Sequence, residues 1–210
     1  MSERIWKAIS YLLHPVMMPT IGFILLLTSD PYIYTSLDSF LLKKVVFTFI
    51  PAVFLGTAIV PMLLSGVLLM TGQVSSLVEP TERDRKMLLA FSELGFLLVL
   101  IYFHNMPAVW ISLYYFILGI NVSAIVTLIT SMFTKISFHA VGISGLVGTM
   151  IGLMFLNRMN MFPLITSLMG LAIIIGVARY KLKAHEAADI YIGFIVGMGC
   201  QAAVFMLGGR

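Results

Sequence analysis

The stretch VWISLYYFILGINVSAIVTL, from Val109 to Leu128, contains no charged residue and only a few small polar ones. Its length matches the roughly 20 residues that an α-helix needs to cross the hydrocarbon core of a bilayer. A transmembrane β-strand would instead consist of about ten residues of alternating polarity. Because this stretch is apolar on all sides, it predicts a membrane-spanning helix.

The composition extends this prediction to the whole chain of 210 residues. Apolar residues make up 60% of the chain and charged residues 10%, against roughly 45–50% and roughly 25% in soluble domains. A soluble globular fold is excluded, because so few charges cannot solvate a surface of this size. We therefore predict an all-α, polytopic transmembrane helical bundle that forms a single integral membrane domain over residues 1–210.

The net charge of +4 does not indicate a nucleic acid partner. No basic tract with interspersed aromatic residues exists, and the same charges fit lipid headgroups. The apolar run that follows Arg4 and Lys7 resembles a signal peptide, but it continues to Leu27 without a small-x-small cleavage site. We predict that this run is an uncleaved first span.

Seven apolar stretches predict six to seven spans, the odd number requiring that the first stretch crosses the membrane. They cover residues 8–28, 45–70, 87–104, 107–131, 136–157, 161–178 and 186–207. Very short connections, His104 to Pro107 and Asn157 to Asn160, make neighbouring spans antiparallel. Two connections are longer, Thr28 to Lys44 and Thr71 to Lys86.

Glycines and prolines predict how the spans pack and bend. GxxxG spacing at 148/152 and 193/197 lets helices approach closely, so we predict that the fifth and seventh spans pack together. Prolines inside the first two spans predict kinks, because each lacks a backbone N–H. These prolines are Pro15, Pro19, Pro51 and Pro61.

The basic residues are distributed unevenly between the two membrane faces that seven alternating spans define. We call the face that carries the N-terminus and residues 71–86, 132–136 and 179–185 the site face. It holds Arg4, Lys7, Arg83, Arg85, Lys86, Lys135, Arg179, Lys181 and Lys183, and the opposite face holds Lys43, Lys44, Arg158 and Arg210. The positive-inside rule predicts that the site face is cytoplasmic.

The rare polar groups near the membrane are candidate functional residues, because such groups are costly there. His185 and Asp189 lie four residues apart, so on a helix they would share one face, where Asp189 could hold the imidazole in one tautomer. His139, shortly after Lys135 and Ser137, lies on the same membrane face. Arg83 and Arg85 belong to the charged loop 71–86, which lies on the same membrane face.

This set of side chains suits the cleavage of a phosphate ester without a metal. One histidine attacks phosphorus, a carboxylate orients it, and the other histidine protonates the leaving oxygen. Guanidinium groups hold the phosphate oxygens. No spacing of Cys or His suggests a metal site, and the inventory requires no cofactor.

Two motifs resemble signatures of the type 2 phosphatidic acid phosphatase (PAP2) superfamily. The spacing Arg179-x5-His185-x3-Asp189 is similar to its third signature, Ser-Arg-x5-His-x3-Asp. Ser137-x-His139 resembles the end of its second signature, Pro-Ser-Gly-His, and lies upstream as the family order requires. The resemblance covers roughly residues 79–195, the expected PAP2-like core, and extends to a small, divergent bacterial branch with six to seven spans, which implies a bacterial inner (cytoplasmic) membrane.

The chain departs from the family pattern at several positions. Ala178 replaces the Ser of the third signature, and Ile136 and Phe138 replace the Pro and Gly of the second. The first signature, Lys-x6-Arg-Pro, is reduced to the cluster Glu82 to Arg85, without its Lys or Pro. Lys135 or Lys86 could take the role of that Lys, or the role could be absent.

The resemblance implies a role for each matching residue. His185 would be the nucleophile that forms a phosphohistidine, Asp189 its orienting partner, and His139 the general acid and later the base. Phosphate would be bound by Arg179, by Arg85 with Arg83 from the same cluster, and by Ser137, Lys135 and the Phe138 amide. The substrate would be a lipid phosphate monoester or an isoprenoid pyrophosphate that enters laterally from the bilayer.

Two functional alternatives remain open. One is a degenerate relative that only binds lipid phosphates, which the missing Lys and the bulk of Phe138 favour. The other is a proton-coupled transporter that uses His139, His185, Asp189 and Glu93 as a relay. The relay predicts that these groups follow a path through the membrane, whereas the phosphatase predicts that they converge at one interface.

These candidate residues also have simpler structural interpretations. His185 and Asp189 could form an interfacial charge pair, and the arginines at 83 and 85 could belong to a solvated charge run. Glu93 either pairs with a base of the site face or makes a packing contact. The remaining polar residues read as headgroup anchors or as structural and interfacial groups; they are Lys181, Lys183, His14 and His104.

Overall fold

The protein forms a bundle of α-helices in a computed structural model that describes residues 3–30, 33, 39–77, 80–104 and 111–208. The helices of the described residues are α1 Glu3–Leu12, α2 Met18–Ser29, α3 Ser39–Phe54, α4 Val60–Met70, α5 Glu82–His104, α6 Ile111–Thr130, α7 Phe138–Asn157, α8 Phe162–Lys181 and α9 Ala187–Gly208. No strand occurs in these ranges. The all-helical class is confirmed.

Seven segments of these helices are long and apolar enough to cross a membrane. They are Glu3–Ser29, Val46–Met70, Glu82–His104, Ile111–Thr130, Phe138–Asn157, Phe162–Lys181 and Ala187–Gly208. Each corresponds to one predicted stretch, and the predicted count of six to seven spans is confirmed at seven. The chain is thus an integral membrane protein of helical type.

Prolines interrupt the first two spans, as the sequence predicts. At His14, the residue before Pro15, the backbone is extended with ψ 138°, and a short 3₁₀ turn, Pro15–Met17, separates α1 from α2. Pro51 lies inside α3, and a π-helical segment, Leu55–Ile59, follows before α4. The π segment packs against α5, where Gly56 and Val99 are in close contact.

The fifth and seventh spans form the tightest helix pair in the bundle, which confirms the packing prediction. A Cβ atom added to Gly148 would collide with the backbone of Met198, and one added to Gly197 would collide with the carbonyl of Val141. These glycines allow α7 and α9 to run with their backbones in contact. The pair also contacts α6, through both of its helices, and α8.

The long loop predicted over residues 71–86 is shorter in the structure, because α5 already begins at Glu82. Asp84 stabilises this start by accepting hydrogen bonds from the Ser75 hydroxyl at 2.6 Å and the Thr81 N–H at 3.2 Å. Arg83 and Arg85 consequently occupy the first turn of a helix, not a loop. Glu79 of this segment, Pro107 of the next reversal and residues 31–32 and 34–38 of the predicted connection 28–44 lie outside the described residues.

Asp30 organises the end of the bundle opposite to the site face. Its carboxylate accepts a hydrogen bond from the Ser112 hydroxyl at 2.6 Å and from the Asn157 amide at 3.0 Å. The three residues follow α2, begin α6 and end α7, and Asp30 is buried. Asp30 therefore ties three spans together.

Candidate functional site

The starts of α7 and α9 are joined at the site face. The N–H of Ser137 donates to the carbonyl of Asp189 at 3.3 Å, and the hydroxyl of Ser144 donates to the carbonyl of Gly193 at 3.3 Å. Gly193 also leaves no room for a side chain against Ser137 and Ala140. The close α7–α9 packing therefore brings the two predicted motifs, 135–139 and 185–189, into contact.

His185 lies in the turn between α8 and α9. Its Nδ1 is 2.9 Å from the carbonyl oxygen of Lys135. Since a carbonyl oxygen only accepts, Nδ1 must carry the proton, and Nε2 then holds the lone pair. The side chain is 6% exposed, so the imidazole is fixed in one tautomer with its nucleophilic nitrogen defined.

Asp189 does not hold this tautomer, contrary to the expectation. Its Oδ2 lies 3.9 Å from His185 Nδ1, which is beyond hydrogen-bond distance, and accepts the N–H of Glu186 at 3.3 Å instead. His185 precedes α9, which begins at Ala187, and the two side chains lie within ion-pair distance but not within hydrogen-bond distance. The carbonyl of Lys135 takes over the orienting contact.

Burial and nearby cations keep His185 neutral. Burial first, and the Arg85 and Arg179 guanidinium groups in addition, lower its pKa to about 4, and only the hydrogen bond with the Lys135 carbonyl acts in the opposite direction. A neutral imidazole at pH 7 is the form that a histidine nucleophile requires.

Arg85 points into the site, whereas Arg83 does not. The Nη2 of Arg85 donates to the Ile136 carbonyl at 2.7 Å, and its guanidinium carbon lies 4.8 Å from the centroid of the Phe138 ring. Its charge also interacts with Asp189. Because successive helical residues are rotated by about 100°, Arg83 faces away and is exposed.

Arg179, in the last turn of α8, brings a second guanidinium to the same place. Its charge interacts with those of Arg85 and the histidines at 139 and 185. Its Nε is buried and has no hydrogen-bond partner within the described part of the chain. Two guanidinium groups near each other, one with an unused buried donor, form a site that an anion would neutralise.

Ser137 adds further donors to this anion site. It is fully buried, it precedes the first residue of α7, and its hydroxyl has no partner among the residues described. The first backbone bond of the helix runs from Val141 to the Ser137 carbonyl. The N–H groups of the first turn, from Phe138 onwards, therefore remain available for a negative group, as at other helix N-termini.

His139 lies on the inner side of the site. It is 9% exposed, and its Nε2 is 3.2 Å from the carbonyl of Ser10 in α1. Its ring meets the ring of His14 edge to face, with centroids 5.5 Å apart and planes at 77°. Sequence reasoning treated His14 as structural or interfacial, and no motif connects it to His139; only the fold brings them together.

An open cavity of about 960 Å³ lies beside His185. Its lining includes Lys135, Tyr180, Lys181, Lys183, His185, Glu186 and Asp189. Neither His139 nor the two inward arginines line it. Of the predicted site residues, this cavity joins His185, Asp189 and Lys135. His139, Arg179, Arg85, Ser137 and Arg83 are not part of its lining.

Glu93 does not pair with a base of the site face. Both of its carboxylate oxygens are buried and have no hydrogen-bond partner among the described residues. It lies about two turns further along α5 than Arg85.

Within the described ranges, no three His, Cys, Asp or Glu side chains are grouped as metal ligands would be. Comparisons with protein-family models, with curated proteins and with solved structures find no match for this chain.

Proposed function

We propose that this protein is a membrane phosphatase of PAP2 type. It would hydrolyse a lipid phosphate monoester or an isoprenoid pyrophosphate through a phosphohistidine intermediate. The observation that carries the proposal is that the charges of Arg85 and Arg179 act on His185, whose Nε2 holds the lone pair, and that Arg179 has a buried and unused donor. A tetrahedral phosphoryl group satisfies both requirements, because it offers anionic oxygens and an electrophilic centre.

In the proposed first step, Nε2 of His185 attacks phosphorus while the bond from phosphorus to the lipid oxygen breaks. His139 donates a proton to that leaving oxygen. The N–H at Nδ1 of His185 continues to donate its hydrogen bond to the Lys135 carbonyl. The arginines at 85 and 179 hold the phosphoryl oxygens, with Ser137 and the first amides of α7 as further donors. For a pyrophosphate the same step releases the lipid monophosphate.

In the proposed second step, water attacks the phosphohistidine. His139, now neutral, accepts a proton from that water, the bond from phosphorus to Nε2 breaks, and inorganic phosphate leaves. His185 regains its lone pair and His139 its proton, so the cycle closes without a cofactor. The open cavity beside His185 offers a route for water and phosphate.

A binding protein that does not hydrolyse lipid phosphates is the second candidate. It is favoured by the 3.9 Å separation of Asp189 from His185, which leaves the expected nucleophile without a hydrogen bond from its expected orienting partner. The transporter alternative has less support, because the motifs 135–139 and 185–189 and the arginines at 85 and 179 lie at the same end of the bundle. Glu93, deeper in α5, lacks a described partner that would continue a relay.

Phosphate release from a panel of lipid phosphates in detergent tests the proposal. We expect release by the wild type, none by His185→Ala, and wild-type release by His104→Ala, whose histidine lies at the opposite end of α5. Acid-labile phosphate should remain on the protein after a rapid quench. If the folded wild type binds these lipids but releases no phosphate from any of them, the binding protein is correct and the phosphatase is not.

A further inference from the structure

The N-terminal helix lies outside the region that resembles the phosphatase family, yet it contacts the proposed acid. The carbonyl oxygen of Ser10 is 3.2 Å from Nε2 of His139, although the two residues are 129 positions apart in the chain. Ser10 is one of the last three residues of α1, and both Ser10 and His139 are buried. Such an acceptor fixes the Nε2–H tautomer of His139, in which Nδ1 holds the lone pair.

The sequence explains why this carbonyl is free. In an unbroken helix it would accept the N–H of His14, four residues further on. Pro15 forces His14 into an extended conformation, and within the described span α1 ends after a single further bond, from Leu13 to Ile9. The carbonyl of Ser10 is therefore an unpaired group at a helix C-terminus.

A free carbonyl at this end of a helix favours a cation, because the last turn carries the negative end of the helix dipole. The charged and titratable groups that face His139 are Arg179, His185 and His14, and none of them is an anion. The Ser10 carbonyl is the one hydrogen-bond acceptor that the described residues offer to the ring.

We infer that the helix break at Pro15 makes the Ser10 carbonyl available to position His139 and to stabilise its protonated form, so that the N-terminal helix supplies part of the acid function. This inference rests on the proposed phosphatase. The protonated ring would keep Nε2–H on Ser10 and give the proton on Nδ1 to the leaving oxygen. The neutral ring then accepts the proton of water at Nδ1, which restores the starting form.

The acid role of His139 can be tested by comparing the rates for two phosphate esters whose leaving groups differ in their need for a proton. A long-chain alkyl phosphate needs a proton on its leaving oxygen, whereas 4-nitrophenyl phosphate does not. Pro15→Ala lets α1 continue and returns the Ser10 carbonyl to His14. We expect the kcat for the alkyl phosphate to fall about tenfold, the size of a favourable, partly buried helix-end interaction, with little change for the nitrophenyl ester.

Pro19→Ala is the matched control, because Pro19 lies in the first turn of α2, where a proline is tolerated. It should leave both rates unchanged. An unchanged ratio of the two rates in Pro15→Ala, or an equal loss of both, contradicts the inference alone. A wild type that cleaves neither ester contradicts the phosphatase and the acid role together.

A spectroscopic measurement keeps the inference testable if Pro15→Ala does not fold. The ¹⁵N spectrum of histidine-labelled wild type, with the His139 signals assigned by His139→Gln, should show a proton on Nε2 in the neutral ring and on both nitrogens in the protonated ring. A neutral ring with its proton on Nδ1 and none on Nε2 would contradict the inference, because the Ser10 carbonyl would then not hold this ring.

Discussion

The guanidinium carbon of Arg85 lies 4.8 Å from the centroid of the Phe138 ring, while its Nη2 is bound to the Ile136 carbonyl at 2.7 Å. Ile136 and Phe138 are the two residues that depart from the second signature of the PAP2 superfamily. Here they hold an arginine from a different helix beside a second arginine, Arg179. The remaining donors of Arg85 are thereby pre-organised for an anion.

The ring of Phe138 should matter through its aromatic face. Phe138→Leu removes the cation–π contact, and we expect the KM for a lipid phosphate and the inhibition constant of inorganic phosphate to rise about three- to tenfold. Phe138→Tyr keeps the face of the ring and should retain wild-type values. Equal effects of the two substitutions on phosphate inhibition would show that the cation–π contact is not responsible.

Arg85 and Arg83 form a matched pair on one helix turn, one inward and one exposed. Arg85→Gln should lower kcat/KM by about 10²-fold, the loss that follows when one donor to a developing negative charge is removed. Arg83→Gln should stay within about twofold, as expected for an exposed charge. A comparable loss in both variants, measured by phosphate release, would contradict the inward position of Arg85.

His185 should remain neutral well below the usual pH of histidine titration. With its pKa lowered from 6.5 to about 4, its ¹⁵N signals should be those of the Nδ1–H tautomer at pH 5.5. The unfolded chain binds a proton on this residue between pH 6.5 and 4 while the folded chain does not, so its contribution to stability is present above pH 6.5 and is lost as the pH falls.

The thermal unfolding temperature in detergent should accordingly decrease from pH 7 to pH 4.5. This decrease should be smaller in His185→Gln, which cannot take up the proton. Titration of the His185 signals near pH 6.5 would contradict the burial of the ring between the two arginines.

Gly197 and Gly199 test the packing that assembles the site. A methyl group at Gly197 would meet the carbonyl of Val141, whereas one at Gly199 would meet open space. Gly197→Ala should destabilise the protein by about 1–3 kcal/mol, as over-packing does, and should impair phosphate release by moving α7 relative to α9. Gly199→Ala should be neutral or stabilise by up to about 1 kcal/mol. Thermal unfolding in detergent distinguishes the two.

Much of the bundle could be predicted because its signals are local. A span requires an apolar run of sufficient length, and seven such runs correspond to seven helices. The glycine spacing also predicted the α7–α9 pair. Helix starts were less predictable, because Asp84 and Ser75 stabilise a start at Glu82 that the apolar pattern does not mark. The position at which α5 begins determines which of Arg83 and Arg85 points inward.

By itself, the sequence determined that this is a helical membrane protein whose scarce charges gather on one face, because length, apolarity and charge are properties of single segments. Only the tertiary structure decided which atoms meet there. The carbonyl of Lys135, not Asp189, holds His185; the carbonyl of Ser10 holds His139; and Arg85 is bound by Ile136. These contacts join residues 50 to 129 positions apart, so they depend on where each helix begins and on which face it buries.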